Sequence, residues 1–343
     1  MIHVLVVDDS KVSRDLLSGI LESEPDISVI GTASNGKEAV RLAKILSPDI
    51  ITMDINMPGM DGFEAARQIM EESPVPIIII SGVDNLAEIA ASFRVMEAGA
   101  LAILPKPPHP TSQEFPAKSQ EIINAIRTYV EIKVIRRART QRQKHDNPDL
   151  TIVSKGIPPR LIAIGASTGG PPVIQTILRL LDPKFPLPMV LVQHMSPGFI
   201  HGFAEWLSES TGFRVRVPSD NEKLLPGVLY VAPDGLQTGV SSDLRILQTD
   251  GPPEHNLRPS VSYLFRSVAG NVGAAAVGVL LTGMGTDGSE ELLVMRKKGS
   301  ITLIQDRASS IVYGMPGEAM RIGAASLILS PEEIAQELRV LAG

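Results

Sequence analysis

Residues 2–33 read IHVLVVDDSKVSRDLLSGILESEPDISVIGTA, and their pattern of apolar and polar residues indicates the fold of the N-terminal half. The apolar run His3–Val7 predicts a strand buried on both faces, Arg14–Glu22 predicts an amphipathic helix, and Val29–Thr32 predicts a second buried strand. Two parallel strands joined by a crossover helix form a βαβ unit. The sequence therefore predicts an α/β domain that begins at the first residues.

The same alternation continues to about residue 130. Further buried strands are predicted at Ile50–Met53, Ile77–Ile80 and Leu101–Leu104, with amphipathic stretches at Gly36–Leu46 and Leu86–Ala98. Five such units indicate a doubly wound parallel sheet. In sheets of this kind, ligands bind beyond the carboxyl ends of the strands.

A basic segment separates this domain from the rest of the chain. After a predicted helix starts at Glu121 and runs to Val134, basic residues come without an intervening acid: Lys133, Arg136, Arg137, Arg139, Arg142 and Lys144. Apolar periodicity fades there, so residues 131–157 are predicted to be an interdomain linker. Its charge is more typical of a solvated tether than of a docking strip for an acidic partner.

A second alternation of strands and helices fills residues 158–343. The predicted strands are Leu161–Gly165, Met189–Gln193, Val228–Ala232, Val277–Thr282, Ile301–Ile304 and Leu327–Leu329. Helical patterns occupy most of the gaps between them. The predicted fold class is therefore α/β, with two doubly wound parallel-sheet domains joined by the linker.

Composition and charge limit the classes of function. Of the 343 residues, 43% are hydrophobic and 20% are charged, which is typical of a folded soluble protein. The formal net charge of −6 argues against nucleic acid or an anionic membrane as the main partner. The absence of cysteine excludes disulfides, thiolate catalysis and cysteine-ligated metals. No apolar run reaches the ~18 residues that membrane insertion needs, so we expect a cytoplasmic location.

Carboxylates, a hydroxyl and an ammonium follow strands of the first domain. Asp8 and Asp9 follow the first strand, Asp54 the third, and Ser81 and Lys106 the fourth and fifth. Three carboxylates at one sheet edge repel one another, and a divalent ion such as Mg²⁺ relieves that repulsion. A metal, a carboxylate nucleophile and a cation at one edge suit phosphoryl transfer to an aspartate.

The motifs around these residues resemble the receiver domain of two-component response regulators. They are VDDS at residues 7–10, MDINMPGMDG at residues 53–62, Ser81 after IIII, and Lys106 before a proline. The resemblance covers about residues 1–130 and implies a flavodoxin-like fold in which Asp54 accepts a phosphoryl group from a histidine kinase. It also implies Mg²⁺ ligands at Asp8, Asp9, Asp54 and the Asn56 carbonyl, and acyl phosphate contacts at Ser81 and Lys106. Family members often have an aromatic residue where this chain has Ile103.

A serine, a histidine and an aspartate follow strands of the second domain. Ser167 lies in the sequence GASTG at residues 165–169, whose glycines permit a sharp strand-to-helix turn that exposes the hydroxyl. Of the six histidines, His194 alone ends an apolar strand in this half, so it is the candidate base for the serine. Asp287, in the glycine-rich GMGTDG, is preferred to Asp306 as the carboxylate that orients the imidazole.

The second domain as a whole resembles the protein-glutamate methylesterase family of bacterial chemotaxis. The motifs are IGASTGG at 164–170, QHM at 193–195, YVAP at 230–233, RPSV at 258–261, GVLLTGMGTDG at 278–288, QD at 305–306 and YGMP at 313–316. The resemblance covers about residues 158–342 and implies a Rossmann-like domain. The roles it implies are Ser167 as nucleophile, His194 as general base and acid, Asp287 as orienting acid, Met284 N–H in the oxyanion hole, and Thr168 lining the site.

Together the two resemblances imply hydrolysis of glutamate methyl esters on chemoreceptors, with release of methanol, and deamidation of receptor glutamines. They also imply that the unphosphorylated receiver covers the Ser167 site and that phosphorylation of Asp54 relieves this inhibition. Three positions depart from the usual pattern: Gln237 stands where histidine is common, Ser262 where aspartate is usual, and Glu291 where a small residue is common.

Three other functions are compatible with parts of the sequence. The second domain could be a binding module without catalysis, and Ser167→Ala would separate that case from an enzyme. A transcriptional regulator is disfavoured, because no helix-turn-helix pattern follows Pro159 and the only basic cluster is in the linker. An esterase or amidase for a small molecule would be exposed by a panel of simple esters.

Overall fold

The structure is a computed structural model that describes residues 1–82, 93–132 and 157–343. The chain divides into two compact units, Met1–Thr151 and Ile152–Gly343, each with its own parallel sheet. In the described ranges, no helix has both the length and the apolar character that crossing a bilayer requires.

The first unit is built on a five-stranded parallel sheet of order β2-β1-β3-β4-β5, the order typical of flavodoxin-like folds. Its strands are β1 (Ile2–Val7), β2 (Ile27–Ala33), β3 (Ile50–Met53), β4 (Ile77–Ser81) and β5 (Ala102–Pro105). Its helices are α1 (Lys11–Glu22), α2 (Gly36–Leu46), α3 (Gly62–Glu72) and α4 (Phe115–Tyr129), and residues 93–98 are also helical. All five predicted strands are confirmed. The sequence shows β3, β4 and β5 clearly as continuous apolar runs, because these strands are buried along their whole length.

One helix of this unit lies earlier in the chain than predicted. The predicted helix from Glu121 to Val134 is replaced by α4 (Phe115–Tyr129), which has a proline in its first turn, where the missing N–H is not needed. The apolar pattern continues past the last helical residue and misled the prediction of its end. Most of the predicted helix Leu86–Ala98, and nearly all of the predicted linker with its basic cluster, lie outside the described residues.

The second unit has a seven-stranded parallel sheet of order β14-β13-β12-β6-β7-β9-β8 and a two-stranded antiparallel sheet, β10-β11. The strands are β6 (Leu161–Ala166), β7 (Met189–Gln193), β8 (Arg214–Arg216), β9 (Val228–Val231), β10 (Gln237–Val240), β11 (Ile246–Thr249), β12 (Ala276–Leu280), β13 (Ile301–Gln305) and β14 (Leu327–Leu329). The helices are α5 (Gly170–Leu180), α6 (Ile200–Thr211), α7 (Val261–Asn271), α8 (Ser289–Lys297), α9 (Met315–Arg321) and α10 (Pro331–Ala342). The six predicted strands are confirmed, whereas β8, β10 and β11 have no predicted counterpart.

The centre of the larger sheet is a topological switch point. The chain leaves β6 towards β7 on one side, and β12 later pairs with the other side of β6. Ligands of open α/β sheets bind at such a point, beyond the carboxyl ends of the strands. Glycine brings α7 close to β6 here, since a Cβ on Gly165 would lie 2.3 Å from Cγ1 of Val261.

Candidate active site and phosphoacceptor site

Ser167 and His194 are the first residues after two neighbouring parallel strands. β6 and β7 are paired as far as Ala166 and Gln193, so the two residues leave the sheet side by side. The N–H of His194 donates to the carbonyl of Ala166 at 3.0 Å. The side-chain Nε2 of Gln193 donates to the backbone oxygens of both Ser167 and His194 at 2.9 Å. Gln193 therefore ties the two turns together.

The turn that carries Ser167 depends on glycine. Gly169 has a φ of 78°, in the left-handed region that favours glycine, and it directly precedes α5. The N–H of Gly170 donates to the carbonyl of Ser167 at 2.8 Å, and a Cβ on Gly170 would lie 2.1 Å from Oε1 of Gln193. The sharp turn predicted from the glycine spacing is present, and it places Ser167 at the positive N-terminal end of a helix.

The loop after β12 approaches Ser167 from the other side. The N–H of Ser167 donates to the carbonyl of Thr282 at 3.0 Å, and the hydroxyl of Thr282 donates to the carbonyl of Thr168 at 2.9 Å. A Cβ on Gly283 would lie 2.7 Å from Cβ of Ser167, so glycine lets the two segments pass this closely. Met284, the next residue of this loop, has an exposed side chain.

The carboxylate of Asp287 is buried and lies against His194. Its Oδ2 is 2.9 Å from Nε2 of His194, and the side chain of Asp287 is only 2% exposed. The donors to this carboxylate are Oγ of Ser260 at 2.8 Å and the N–H groups of Val261 at 2.7 Å and Ser262 at 3.0 Å. All three belong to the N-terminal end of α7, where the helix dipole favours an anion.

These contacts set the charge of the site. Burial alone would raise the pKa of Asp287, but the contact with His194 and the hydrogen bonds from Ser262 outweigh it and hold the pKa well below its ordinary value. The carboxylate is therefore ionised at neutral pH. Asp306 is held elsewhere, because its Oδ1 accepts from the N–H of Ser309 at 2.9 Å and from the Ser309 hydroxyl. Asp287, and not Asp306, is the carboxylate in contact with the imidazole.

The residues that hydrogen-bond to Asp287 have no predicted role. Ser260 is the N-cap of α7, and a serine directly before an apolar helical run is a recognisable cap signal. Gln193 lies inside a quoted motif, but nothing local indicates that its amide spans two turns. Of the three departures from the family pattern, Gln237 donates and accepts hydrogen bonds beside Ser260, Ser262 contacts Asp287, and Glu291 pairs with Arg266 at 3.1 Å.

In the first unit, two carboxylates and a lysine meet at one edge of the sheet. Val7 is paired with Met53, so Asp8 and Asp54 leave the sheet together. The Nζ of Lys106 lies 2.8 Å from Oδ2 of Asp8 and 2.8 Å from Oδ2 of Asp54. Burial raises the pKa of Asp54 despite the opposing effect of Lys106. Burial would lower the pKa of Lys106, but the two carboxylates outweigh it and raise that pKa, so Lys106 stays charged.

The same edge has the donors that a magnesium ion prefers. Carboxylate oxygens of Asp8, Asp9 and Asp54 lie within 4.8 Å of one another. Hard oxygen ligands at this spacing suit Mg²⁺, which usually keeps several waters, and Asp9 is exposed to solvent. Of the other predicted residues, Asn56 is exposed and Ser81 is buried at the end of β4. The donor set therefore fits a divalent cation.

The chain joins a flavodoxin-like domain with a carboxylate cluster at one sheet edge to an α/β domain with a serine, a histidine and an aspartate at its switch point. This combination is typical of an enzyme that carries a receiver-like domain. Profiles of known families agree with this assignment. The CheB methylesterase profile matches residues 162–338, and the response regulator receiver domain profile matches residues 4–113. The chain therefore belongs to the CheB methylesterase family of enzymes and carries a response regulator receiver domain.

Relatives match over the whole chain. The protein-glutamate methylesterase/protein-glutamine glutaminase 2 of Methanospirillum hungatei JF-1 is 60% identical, covering 99% of this chain and 98% of the relative. A protein of the same description from Syntrophus aciditrophicus, numbered 1, is 49% identical and covers 100% of this chain and 99% of its own. The crystal structure of the Thermotoga maritima CheB methylesterase catalytic domain is 30% identical, with a TM-score of 0.52, over 54% of this chain and 100% of that one.

Proposed function

We propose that this enzyme hydrolyses glutamate methyl esters on chemoreceptors and releases methanol. The contact of 2.9 Å between His194 and Asp287, next to the turn that carries Ser167, is the observation that supports this most strongly. The full-length relatives are named for both methylesterase and glutaminase activity. An amide carbonyl reacts through the same kind of tetrahedral intermediate, so the proposal includes deamidation of receptor glutamines.

In the proposed mechanism, Asp287 holds the Nε2–H of neutral His194 and leaves Nδ1 as the basic atom. Nδ1 takes the hydroxyl proton as Oγ of Ser167 attacks the ester carbonyl. The N–H of Met284 contributes to the oxyanion hole, where one donor is typically worth ~3 to 4 kcal/mol, and Thr168 lines the site. Protonated His194 then gives its proton to the leaving methoxide oxygen and later activates the water that hydrolyses the acyl enzyme.

Methanol release from membranes that contain methylated receptors tests the proposal. Ser167→Ala should lower the rate by at least about 10³-fold and leave receptor binding intact, because the nucleophile is lost and the surface is not. A wild type that binds receptor without releasing methanol would be a binding module. Simple esters hydrolysed faster than receptor would point to a small-molecule esterase instead.

We also propose that Asp54 accepts a phosphoryl group from a histidine kinase and that this raises esterase activity. Asp8, Asp9, Asp54 and the carbonyl of Asn56 would hold Mg²⁺, which supplies positive charge for the phosphoryl oxygens when bound. The Ser81 hydroxyl and the Lys106 ammonium would contact the same oxygens. We propose a histidine kinase and methylated chemoreceptors as its partners, and the cytoplasm as its location.

A further inference from the structure

The buried side chain of Gln237 links a surface loop to the residues that hold Asp287. Its Oε1 accepts from the N–H of Ser260 at 2.9 Å, and its Nε2 donates to the carbonyls of Pro252 and Leu257 at 3.2 and 3.3 Å. The residue is 1% exposed. Because its acceptor and its donors are all engaged by protein groups, the amide has one orientation.

Ser260, which Gln237 holds by a hydrogen bond, is in turn hydrogen-bonded to Asp287. The Oγ of Ser260 accepts from the N–H of Tyr263 at 3.4 Å, so its single proton is left for Oδ1 of Asp287, 2.8 Å away. The N–H groups of Val261 and Ser262 donate to the same carboxylate. A shift of Ser260 would therefore disturb three donors to Asp287 together.

The orientation of the carboxylate decides the state of the imidazole. Oδ2 of Asp287 accepts from the N–H of Val261 and lies 2.9 Å from Nε2 of His194. Rotation of the carboxylate would therefore break its contact with the imidazole of His194. An imidazole in the wrong tautomer or orientation is no base for the serine. We infer that Gln237 is a positioning residue for the esterase reaction, acting through Ser260 and Asp287 on His194. The inference rests on the proposed function and adds a residue outside the proposed Ser-His-Asp group.

The chemistry of an amide suits this position. The N–H of Ser260 needs an acceptor, whereas the carbonyls of Pro252 and Leu257 need donors, and an amide provides both at once. A carboxylate cannot donate, and leucine can do neither. A neutral imidazole has one acceptor and one donor, so histidine at position 237 would restore part of the network.

The loop that Gln237 holds is itself anchored. Glu254 and Leu257 exchange two backbone hydrogen bonds of 3.0 and 2.7 Å, and Arg266 of α7 forms ion pairs with Glu254 and with Glu291 of α8. The amide of Gln237 is thus braced against a closed turn that is tied to two helices. This gives it a fixed support from which to position Ser260.

A double-mutant cycle on the full chain tests the inference. Methanol release from methylated receptor membranes is measured for the wild type, Gln237→Leu, Asp287→Asn and the double variant. Gln237→Leu should lower kcat by at least about 10-fold with KM within ~2-fold, because only the orientation of the base is affected. In the Asp287→Asn background the same change should alter kcat by less than ~2-fold, since the residue it acts through is already lost.

Two further variants separate positioning from loss of structure. Gln248→Leu is the matched control, because Gln248 lies on β11 opposite Thr238 and its Nε2 donates to the carbonyl of Pro218 at 2.9 Å. It should keep the wild-type kcat, whereas Gln237→His should recover part of the lost kcat. If Gln237→Leu does not fold, as judged by thermal unfolding, Gln237→Met enters the cycle with the same expectation, because methionine has a similar length but offers no strong acceptor to Ser260 and no donor to the two carbonyls.

The outcomes distinguish this inference from the function on which it rests. Equal losses of kcat in the two backgrounds, or a Gln237→Leu variant with the wild-type kcat, would overturn the positioning role while the esterase stands. A folded wild type that releases no methanol would overturn the proposed function, and the inference with it.

Discussion

At the scale of single residues, the partners of two aspartates predict different consequences for the same substitution. Asp287→Asn puts an N–H₂ group among three donors and takes the negative charge from beside His194. We expect kcat for methanol release to fall by roughly 10³- to 10⁴-fold, because an amide cannot stabilise the protonated imidazole. Asp306→Asn keeps an oxygen for Ser309 and should cost at most about 10-fold. Similar losses in both variants would contradict a special role for Asp287.

The lowered pKa of Asp287 also bears on the pH dependence. Burial would raise this pKa, but the contact with His194 and the hydrogen bonds from Ser262 hold it below the ordinary aspartate value, so the carboxylate stays ionised in mildly acidic solution. We therefore expect Asp287 to contribute no step to the pH profile of log(kcat/KM) above about pH 4.5, which is already above the ordinary aspartate pKa of ~3.9. In the Asp287→Asn variant the shape of the profile in this range should be unchanged while the rate is lower throughout. An acidic step above about pH 4.5 that the Asp287→Asn variant lacks would contradict the lowered pKa.

At the scale of secondary-structure elements, glycine decides how closely the loops pack around Ser167. A Cβ on Gly283 would lie 2.3 Å from Sδ of Met315 and 2.7 Å from Cβ of Ser167. Gly283→Ala should therefore destabilise the second unit by about 1–3 kcal/mol and lower kcat, because one of the two segments must move. Gly270→Ala is the control, since a Cβ there meets nothing within 4 Å in α7 and alanine favours a helix by ~0.5–1 kcal/mol. Thermal unfolding and methanol release measure both, and equal behaviour would contradict the packing argument.

The elements that the sequence predicts correctly are those whose burial is local in the sequence. The strands of both parallel sheets appear as continuous apolar runs because both faces are covered. β8 is three residues long, at the edge of the sheet, and contains two exposed arginines, so it leaves no apolar run. β10 begins with Gln237 and Thr238, whose burial depends on the surrounding fold and not on the residue types.

The difference between local sequence patterns and contacts made by the folded chain also explains how much of the candidate sites could be predicted. Asp54 and Lys106 follow predicted strands of the first sheet, and Ser167 and His194 follow predicted strands of the second. Within one parallel sheet the carboxyl ends of the strands lie at the same edge, so the sequence predicts that each pair comes together. The bond between Ser260 and Asp287 joins positions 27 residues apart across a helix N-terminus. Such a contact depends on how α7 packs on β6, and no local pattern in the sequence encodes it.

At the scale of the whole molecule, the proposed phosphorylation of Asp54 would couple the first unit to the esterase activity of the second. A small acyl phosphate with Mg²⁺ should raise methanol release by the full chain. Asp54→Asn should abolish that increase without changing the unstimulated rate, because it removes the acceptor oxygen and leaves every residue of the second unit unchanged. Shifting a two-state equilibrium from 1:99 to 99:1 takes ~5.5 kcal/mol, so partial stimulation is the expected result.

Residues 147–343 alone should be at least as active as the phosphorylated chain if the receiver inhibits. If the phosphodonor stimulates Asp54→Asn as much as the wild type, regulation does not pass through this aspartate. If the fragment is no faster than the unphosphorylated full chain, the receiver does not inhibit.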